Sequence, residues 1–241
     1  MGAVIGVLFG LFGVGGSSFA TPLLALLGVP ALIAVAAPLP ATIPAAISGT
    51  RAYLRRGELD RDVARWSIIG GVPATIAGAL LSGTVGGKTL LIGSGVVLAV
   101  VGARILLPIT ADNRIAGKAR RRPGVVIPAA AAIGFFTGLL ANGGGFLLVP
   151  LFVLVLGLTM PESAGTSLIV IAVLSVPSLA THWALGHINW TVAAAFGIGA
   201  IPGAIVGSRL VTHIPAEPLR KVFGVMLVAF SVYYIAHQLL A

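Results

Sequence analysis

Apolar residues fill this chain in long stretches, and short polar clusters cut them at spaced intervals. Apolar runs of about 18 residues or more are long enough to cross a bilayer as helices. In the first half the pattern predicts segments over about 2–14, 17–28, 30–50, 66–84 and 88–108. In the second half it predicts about 125–141, 146–158, 162–181, 190–209 and 217–240. The alternating short strands of an outer-membrane barrel are absent from the pattern. The expected fold class is an all-α polytopic membrane protein.

Two of the apolar stretches carry helix-breaking residues at matching places. "GLFGVGGSSFATPLL" spans residues 10–24 and "GLLANGGGFLLVPLF" spans residues 138–152. A shift of 128 or 129 positions aligns the two halves of the chain more widely. Gly15, Gly16 and Pro22 fall on Gly143, Gly144 and Pro150, and after a one-residue slip Leu39 falls on Leu168 and Gly57 on Gly186. "GGVPATIAG" (70–78) then matches "GAIPGAIVG" (199–207), and Gly95 falls on Gly224. The chain therefore divides into an N-terminal repeat, 1–108, a basic linker, 109–124, and a C-terminal repeat, 125–241.

The glycine-interrupted region is too long for one crossing. Residues 125–158 are 34 positions, roughly 51 Å of helix against a hydrocarbon core of about 30 Å. A re-entrant-like hairpin of two short helices fits, followed by three transmembrane helices in each repeat. Five segments per half would invert the second copy relative to the first. The cations agree: with hairpins, 14 of the 15 Lys and Arg residues share one side and only Lys88 lies opposite, whereas single crossings would divide them 11 to 4. Lys and Arg concentrate on cytoplasmic loops, so the expectation is two inverted repeats, basic loops inside, in a bacterial inner membrane.

Composition supports the membrane reading. The chain has 241 residues, 58% hydrophobic and 9% charged, where soluble domains carry about 25% charged residues. Cysteine is absent, which excludes thiolate-held metals. The net charge of +9 is first a topology signal in such a chain, and nucleic acid is not expected as a partner. "MGAVIGVLFG" lacks the basic start of a signal peptide and reads as mature sequence.

Discontinuous helices near mid-bilayer, related by inverted repeats, are a common architecture of secondary transporters. Broken backbone must be buried in protein or line a watery cavity, because unsatisfied amides are costly in lipid. The helix that restarts after the break turns free N–H groups and partial positive charge toward it, which suits an anion. The candidate substrate-binding residues are Gly15, Gly16, Ser17, Ser18, Asn142, Gly143, Gly144 and Gly145, with Thr166 and Ser167 of "GTSLIV" beside them. Glycines such as Gly6, Gly10 and Gly138 have an alternative use in close helix packing. Thr166 and Ser167 can equally back-bond to their own helix. Pro38, Pro40 and Pro44 interrupt the third segment, and Pro73 and Pro202 read as hinges or packing kinks.

The six acids narrow the substrate. Glu58, Asp60, Asp62 and Asp112 fall in loops, and Glu162 and Glu217 at helix starts, so none lies at bilayer depth. Cation carriers and proton relays usually place a carboxylate there. No metal or cofactor is expected. His182 and His187 flank "WALG" without a nearby carboxylate, and all four histidines, like Trp66, Trp183 and Trp190, suit the membrane interface. "GGSS" lacks the final glycine of an intramembrane serine protease motif, so no catalytic residue is assigned.

"GLFGVGGSSFATPLLALLGVP" resembles the opening signature of the TauE/SafE sulfite-exporter family, and "AISGTRAYLRRGELD" its following loop. "NGGGFLLVPLF" with "SAGTSLIVIAVLS" resembles the repeated half, so the resemblance covers essentially the whole chain. It implies an inner-membrane permease exporting small sulfur-containing anions such as sulfite or organosulfonates. By position, its glycine signatures fall on Gly13, Gly15 and Gly16 and on Gly143, Gly144 and Gly145, and its Thr-Ser signature on Thr166 and Ser167. The chain departs from the pattern at Ser17, where a third glycine is usual, and at Ala37-Pro38, where the first Thr-Ser would stand. The function expected is alternating access around an anion, without covalent chemistry. The competing classes are an anion channel and a non-transporting membrane scaffold subunit. The expected partners are the small anion and the lipid bilayer, and a homo-oligomer is compatible with the sequence.

Overall fold

The computed structural model describes residues 2–13, 20–21, 23–24, 28–85, 87–107, 122–139 and 145–240. Among these residues the regular structure is helical throughout. The helices are α1 (Gly2–Phe12), α2 (Ala31–Ala36), α3 (Leu39–Arg55), α4 (Arg61–Val85), α5 (Gly87–Leu106), α6 (Pro123–Leu139), α7 (Gly145–Pro150), α8 (Met160–Ala184), α9 (Trp190–Leu210) and α10 (Ala216–Leu240). A π turn over Leu151–Val155 extends α7, and a 3-10 turn over Val211–His213 ends α9.

The expected third segment is two helices, α2 and α3, parted at Ala37 and Pro38. Pro38 has no N–H to continue α2, and its carbonyl instead starts α3 by accepting from the Thr42 amide at 3.1 Å and hydroxyl at 3.0 Å. Polar caps set three other starts. Asp60 accepts from the Val63 amide ahead of α4, and Asn189 accepts from Thr191 and Val192 ahead of α9. Thr159 and Glu162 form a reciprocal capping box on α8, so Glu162 serves a helix start.

Among the described residues, Arg61–Ser82, Met160–Ala184 and Trp190–Leu210 are each long and apolar enough to cross a membrane. Large apolar side chains such as Leu80, Val176 and Ile198 project outward along them. Such a surface belongs in lipid. Trp183 and Trp190 are exposed and meet edge to face at the α8–α9 connection, in keeping with an interfacial aromatic belt.

Two close helix pairs organise the rest: α1 lies on α9, and α6 lies on α4. Glycine permits both. A Cβ at Gly10 would stand 2.0 Å from the Ala204 carbonyl oxygen, and one at Gly138 would stand 1.9 Å from that of Thr75. Gly6 likewise abuts Ala200, and Gly134 abuts Gly71. Each contact recurs in the other pair 128 or 129 positions along. These small-residue seams let backbones approach where lipid supplies no hydrophobic drive. Between the pairs, α3 packs on α8 and α9, and α8 on α4. Helices α5 and α10 pack together, and Phe12 stacks on Phe223 at 5.1 Å.

Candidate functional site

Three consecutive residues near the start of α8 dock two other parts of the chain, the α3–α4 connection and the end of α1. Gly165 leaves room for the α3–α4 connection: a Cβ there would lie 2.1 Å from the Glu58 carbonyl oxygen. The Thr166 hydroxyl accepts from the Asp60 amide at 3.0 Å. Ser167 donates its hydroxyl hydrogen to the Gly13 carbonyl at 2.7 Å, with the Ala164 carbonyl of its own helix at 2.9 Å. Both side chains are fully buried. Of the two uses the sequence left open for Ser167, back-bonding is present, and a bond across to Gly13 accompanies it.

Gly13 is the last described residue before the first glycine run. Its φ of +66° turns the chain out of α1, a left-handed helix ending that glycine adopts without steric cost. A Cβ there would also lie 2.6 Å from the Ala164 Cα. The carbonyls left over at the end of α1 are collected by neighbours. Tyr53, fully buried, donates its hydroxyl toward Gly10 at 2.9 Å and Leu11 at 3.0 Å. The chain is therefore fixed immediately ahead of Gly15–Ser18.

The second glycine run is approached in a matching way. Helix α6 ends at Leu139, and the Gly138 carbonyl accepts from Nε2 of His182 at 3.0 Å. Gly145 opens α7 on the far side. Gly15, Gly16, Ser17, Ser18, Asn142, Gly143 and Gly144 lie outside the described residues. Pro73 and Pro202 lie inside α4 and α9 on their exposed faces.

Electrostatics gather at the α3–α4 connection. The Arg56 guanidinium meets Oε1 of Glu58 at 2.7 Å. Burial nonetheless holds the Glu58 carboxyl above the usual carboxylate range; Arg56 pulls it down and the charge of Glu162 pushes it up. No group of three or more His, Cys, Asp or Glu side chains suited to a metal converges among the described residues.

The model of the sulfite exporter TauE/SafE family matches residues 1–234. The chain belongs to this family. A probable membrane transporter protein of Xylella fastidiosa (strain Temecula1) is 29% identical over 97% of this chain and 92% of its own length. Two from Bacillus subtilis are similar too: YjnA is 24% identical over 93% of each chain, and YunE is 25% identical over 100% of this chain and 95% of its own. No solved structure matches. This TauE/SafE chain is a multi-pass membrane transporter.

Part of the polar interior of this TauE/SafE protein escaped sequence reasoning. Ser67 and Thr75 of α4 and Ser175 and Ser178 of α8 are fully buried, and their hydroxyls have no hydrogen-bond partner among the described residues. The positions 129 residues away are Phe196, Ala204, Ala46 and Gly49. The equivalent places in α9 and α3 therefore carry no hydroxyl. Buried hydroxyls of this kind call for water or a ligand. The signal was available: laying one half on the other exposes the four exchanges, and also sets His182 on Tyr53.

Proposed function

We propose that this protein exports small sulfur-containing anions, such as sulfite or organosulfonates, by alternating access between two inverted repeats, 1–108 and 125–241. Residues 109–124 are their cytoplasmic linker in a bacterial inner membrane. The observation that carries the reading is the recurrence, contact for contact, of the α1–α9 seam in the α6–α4 seam. Each half lends its first helix to the other half, an arrangement suited to two bodies rocking about a shared site.

The substrate site lies between the glycine-parted hairpins. Backbone amides of Gly15, Gly16, Gly143, Gly144 and Gly145, with Ser17, Ser18 and Asn142, hold the anion. Thr166 and Ser167 border it and keep the α3–α4 connection and the end of α1 in place. No cofactor, metal or covalent step is needed, and the protein acts as a carrier and not as an enzyme. All six acids fall in loops or at helix starts in the sequence, which favours an anion over a cation.

Liposomes containing the purified protein test this. Saturable, protein-dependent flux of sulfite or sulfonates supports it, and silence across the panel ends it. Gly144→Leu should abolish flux in a protein that still folds and inserts. Near-normal flux would return these glycines to packing alone. Flux that never saturates and cannot be driven against a gradient would instead mark an anion channel.

A further inference from the structure

His182 and Tyr53 hold equivalent places 129 residues apart, and each donates to a carbonyl in the last turn of the first helix of its half: Gly138 for His182, Gly10 for Tyr53. Gly10 and Gly138 are themselves equivalent. The partner five residues on also corresponds, Glu58 in one half and His187 in the other, and each of the two amides bonds back to the Tyr53 or His182 carbonyl at 3.0 Å. One half therefore ties its broken helix with a phenol, which keeps its proton at neutral pH. The other uses an imidazole, the side chain that titrates there.

The geometry assigns the hydrogens. A carbonyl only accepts, so Nε2 of His182 carries a hydrogen toward Gly138. In the neutral ring Nδ1 is then an acceptor. It faces Nδ1 of His187 at 3.1 Å, so His187 must donate from Nδ1 and keep a bare Nε2. His182 is buried, whereas His187 is half-buried in the turn after α8.

We infer that the His182–His187 pair is the proton-binding site of this transporter, loading one proton beside the second glycine run as an anion is carried. The inference rests on the transport reading above. Water delivers a proton to Nε2 of His187, and the Nδ1 proton of His187 crosses to Nδ1 of His182. His187 is again neutral, and His182 has become an imidazolium donating from both nitrogens. No heavy-atom bond changes. The charged N–H strengthens the tie to Gly138, and positive charge is favoured at a helix C-terminus. The Gly138 carbonyl that it holds precedes Asn142 by four positions in the sequence, and the added positive charge attracts an anion.

The surroundings fit a proton path. Ser175, Ser178 and His182 follow helical spacing along one face of α8, and the two serine hydroxyls are buried without a partner among the described residues. Such a stripe suits ordered water leading inward from the pair. Among the described residues, the titratable side chain acting on His182 is His187. Helices α1, α6 and α7 contain no charged residue. The charged groups of α3 and α4, Arg51 to Arg65, surround the connection held by Thr166, 16 residues and roughly 24 Å of helix away. On α10, Arg220 is bonded to the Leu107 carbonyl and Lys221 is paired with Glu217.

The test uses the full chain, with methanesulfonate as probe because its charge is constant across the histidine range. Nitrogen-15 NMR of the protein in nanodiscs should show the two rings taking up one proton as a coupled pair, with replacement of either moving the other's midpoint by ~1 unit or more. Rings that titrate independently, or a His182 that never takes the proton, overturn the assignment. In liposomes, wild-type flux should fall about tenfold per pH unit above the pair's midpoint, the loss of one bound proton. His182→Gln and His182→Tyr both keep a donor for Gly138, the second by copying Tyr53, and should leave flux flat with pH. A wild-type slope surviving in either folded variant overturns the coupling while leaving transport intact. If no protein moves the probe or sulfite, the transport reading falls, and the NMR result alone still decides whether the pair binds a proton.

Discussion

Ser167 donates to the carbonyl of Gly13 at 2.7 Å, joining α8 to the end of α1 across 154 positions of sequence. Ser167→Ala leaves that carbonyl buried without this donor, a loss of about 1–3 kcal/mol. The expected outcome is a lower unfolding temperature together with weaker flux, because the chain entering Gly15–Ser18 loses its anchor. A residue serving only as a substrate ligand would raise KM and leave thermal stability unchanged.

The glycine seams predict opposite outcomes for one kind of substitution. At Gly10 and Gly138 an added side chain would meet backbone oxygen at 2.0 Å and 1.9 Å, and backbone has nowhere to go. Gly10→Leu and Gly138→Leu should each drive a helix pair apart, read as loss of a monodisperse protein in detergent. Gly93, inside α5, has nothing within 4 Å of its would-be Cβ. Gly93→Ala should be neutral or stabilising by about 0.5–1 kcal/mol, since alanine gives up less backbone freedom than glycine on forming a helix. Thermal unfolding of the three variants side by side checks both signs.

Helices were the most legible part of this chain because apolar length is a local property, and those predicted over 190–209 and 217–240 stand at Trp190–Leu210 and Ala216–Leu240. The prolines around position 38 were visible, but whether they bend a helix or divide it depends on which neighbours take the freed groups. Thr166 and Ser167 could be named as polar residues in an apolar helix. Their partners, Asp60 and Gly13, could not, since the bonds span more than 100 residues. His182 was harder still. Alone it reads as an interfacial histidine, and only the Gly138 carbonyl, 44 positions earlier, gives it a buried role.

Arg220 offers a test of how α5 and α10 are joined. Its Nη1 donates to the carbonyls of Ile105 and Leu107 at the end of α5, where helix carbonyls need partners from outside the helix. Arg220→Met should cost about 1–3 kcal/mol. Arg220→Lys should recover only part of this, because a point-like ammonium replaces the fixed guanidinium fork. Full recovery in thermal unfolding would show that charge, and not the fork, closes α5.

Glu58 gives a pH dependence whose sign follows from its surroundings. Its carboxyl is held above the ordinary value mainly by burial, with the charge of Glu162 adding and Arg56 opposing, and Oε2 is buried with no bond among the described residues. Ionising the carboxyl is therefore harder in the folded protein than in the unfolded chain. Its contribution to stability is whole below the unfolded-state value, about pH 4, and is lost as pH rises through the elevated folded value. Glu58→Gln removes that loss. The variant should match the wild type at low pH and unfold at a higher temperature at neutral pH. A wild type that is the more stable of the two at neutral pH would mean that the 2.7 Å pair with Arg56 outweighs burial.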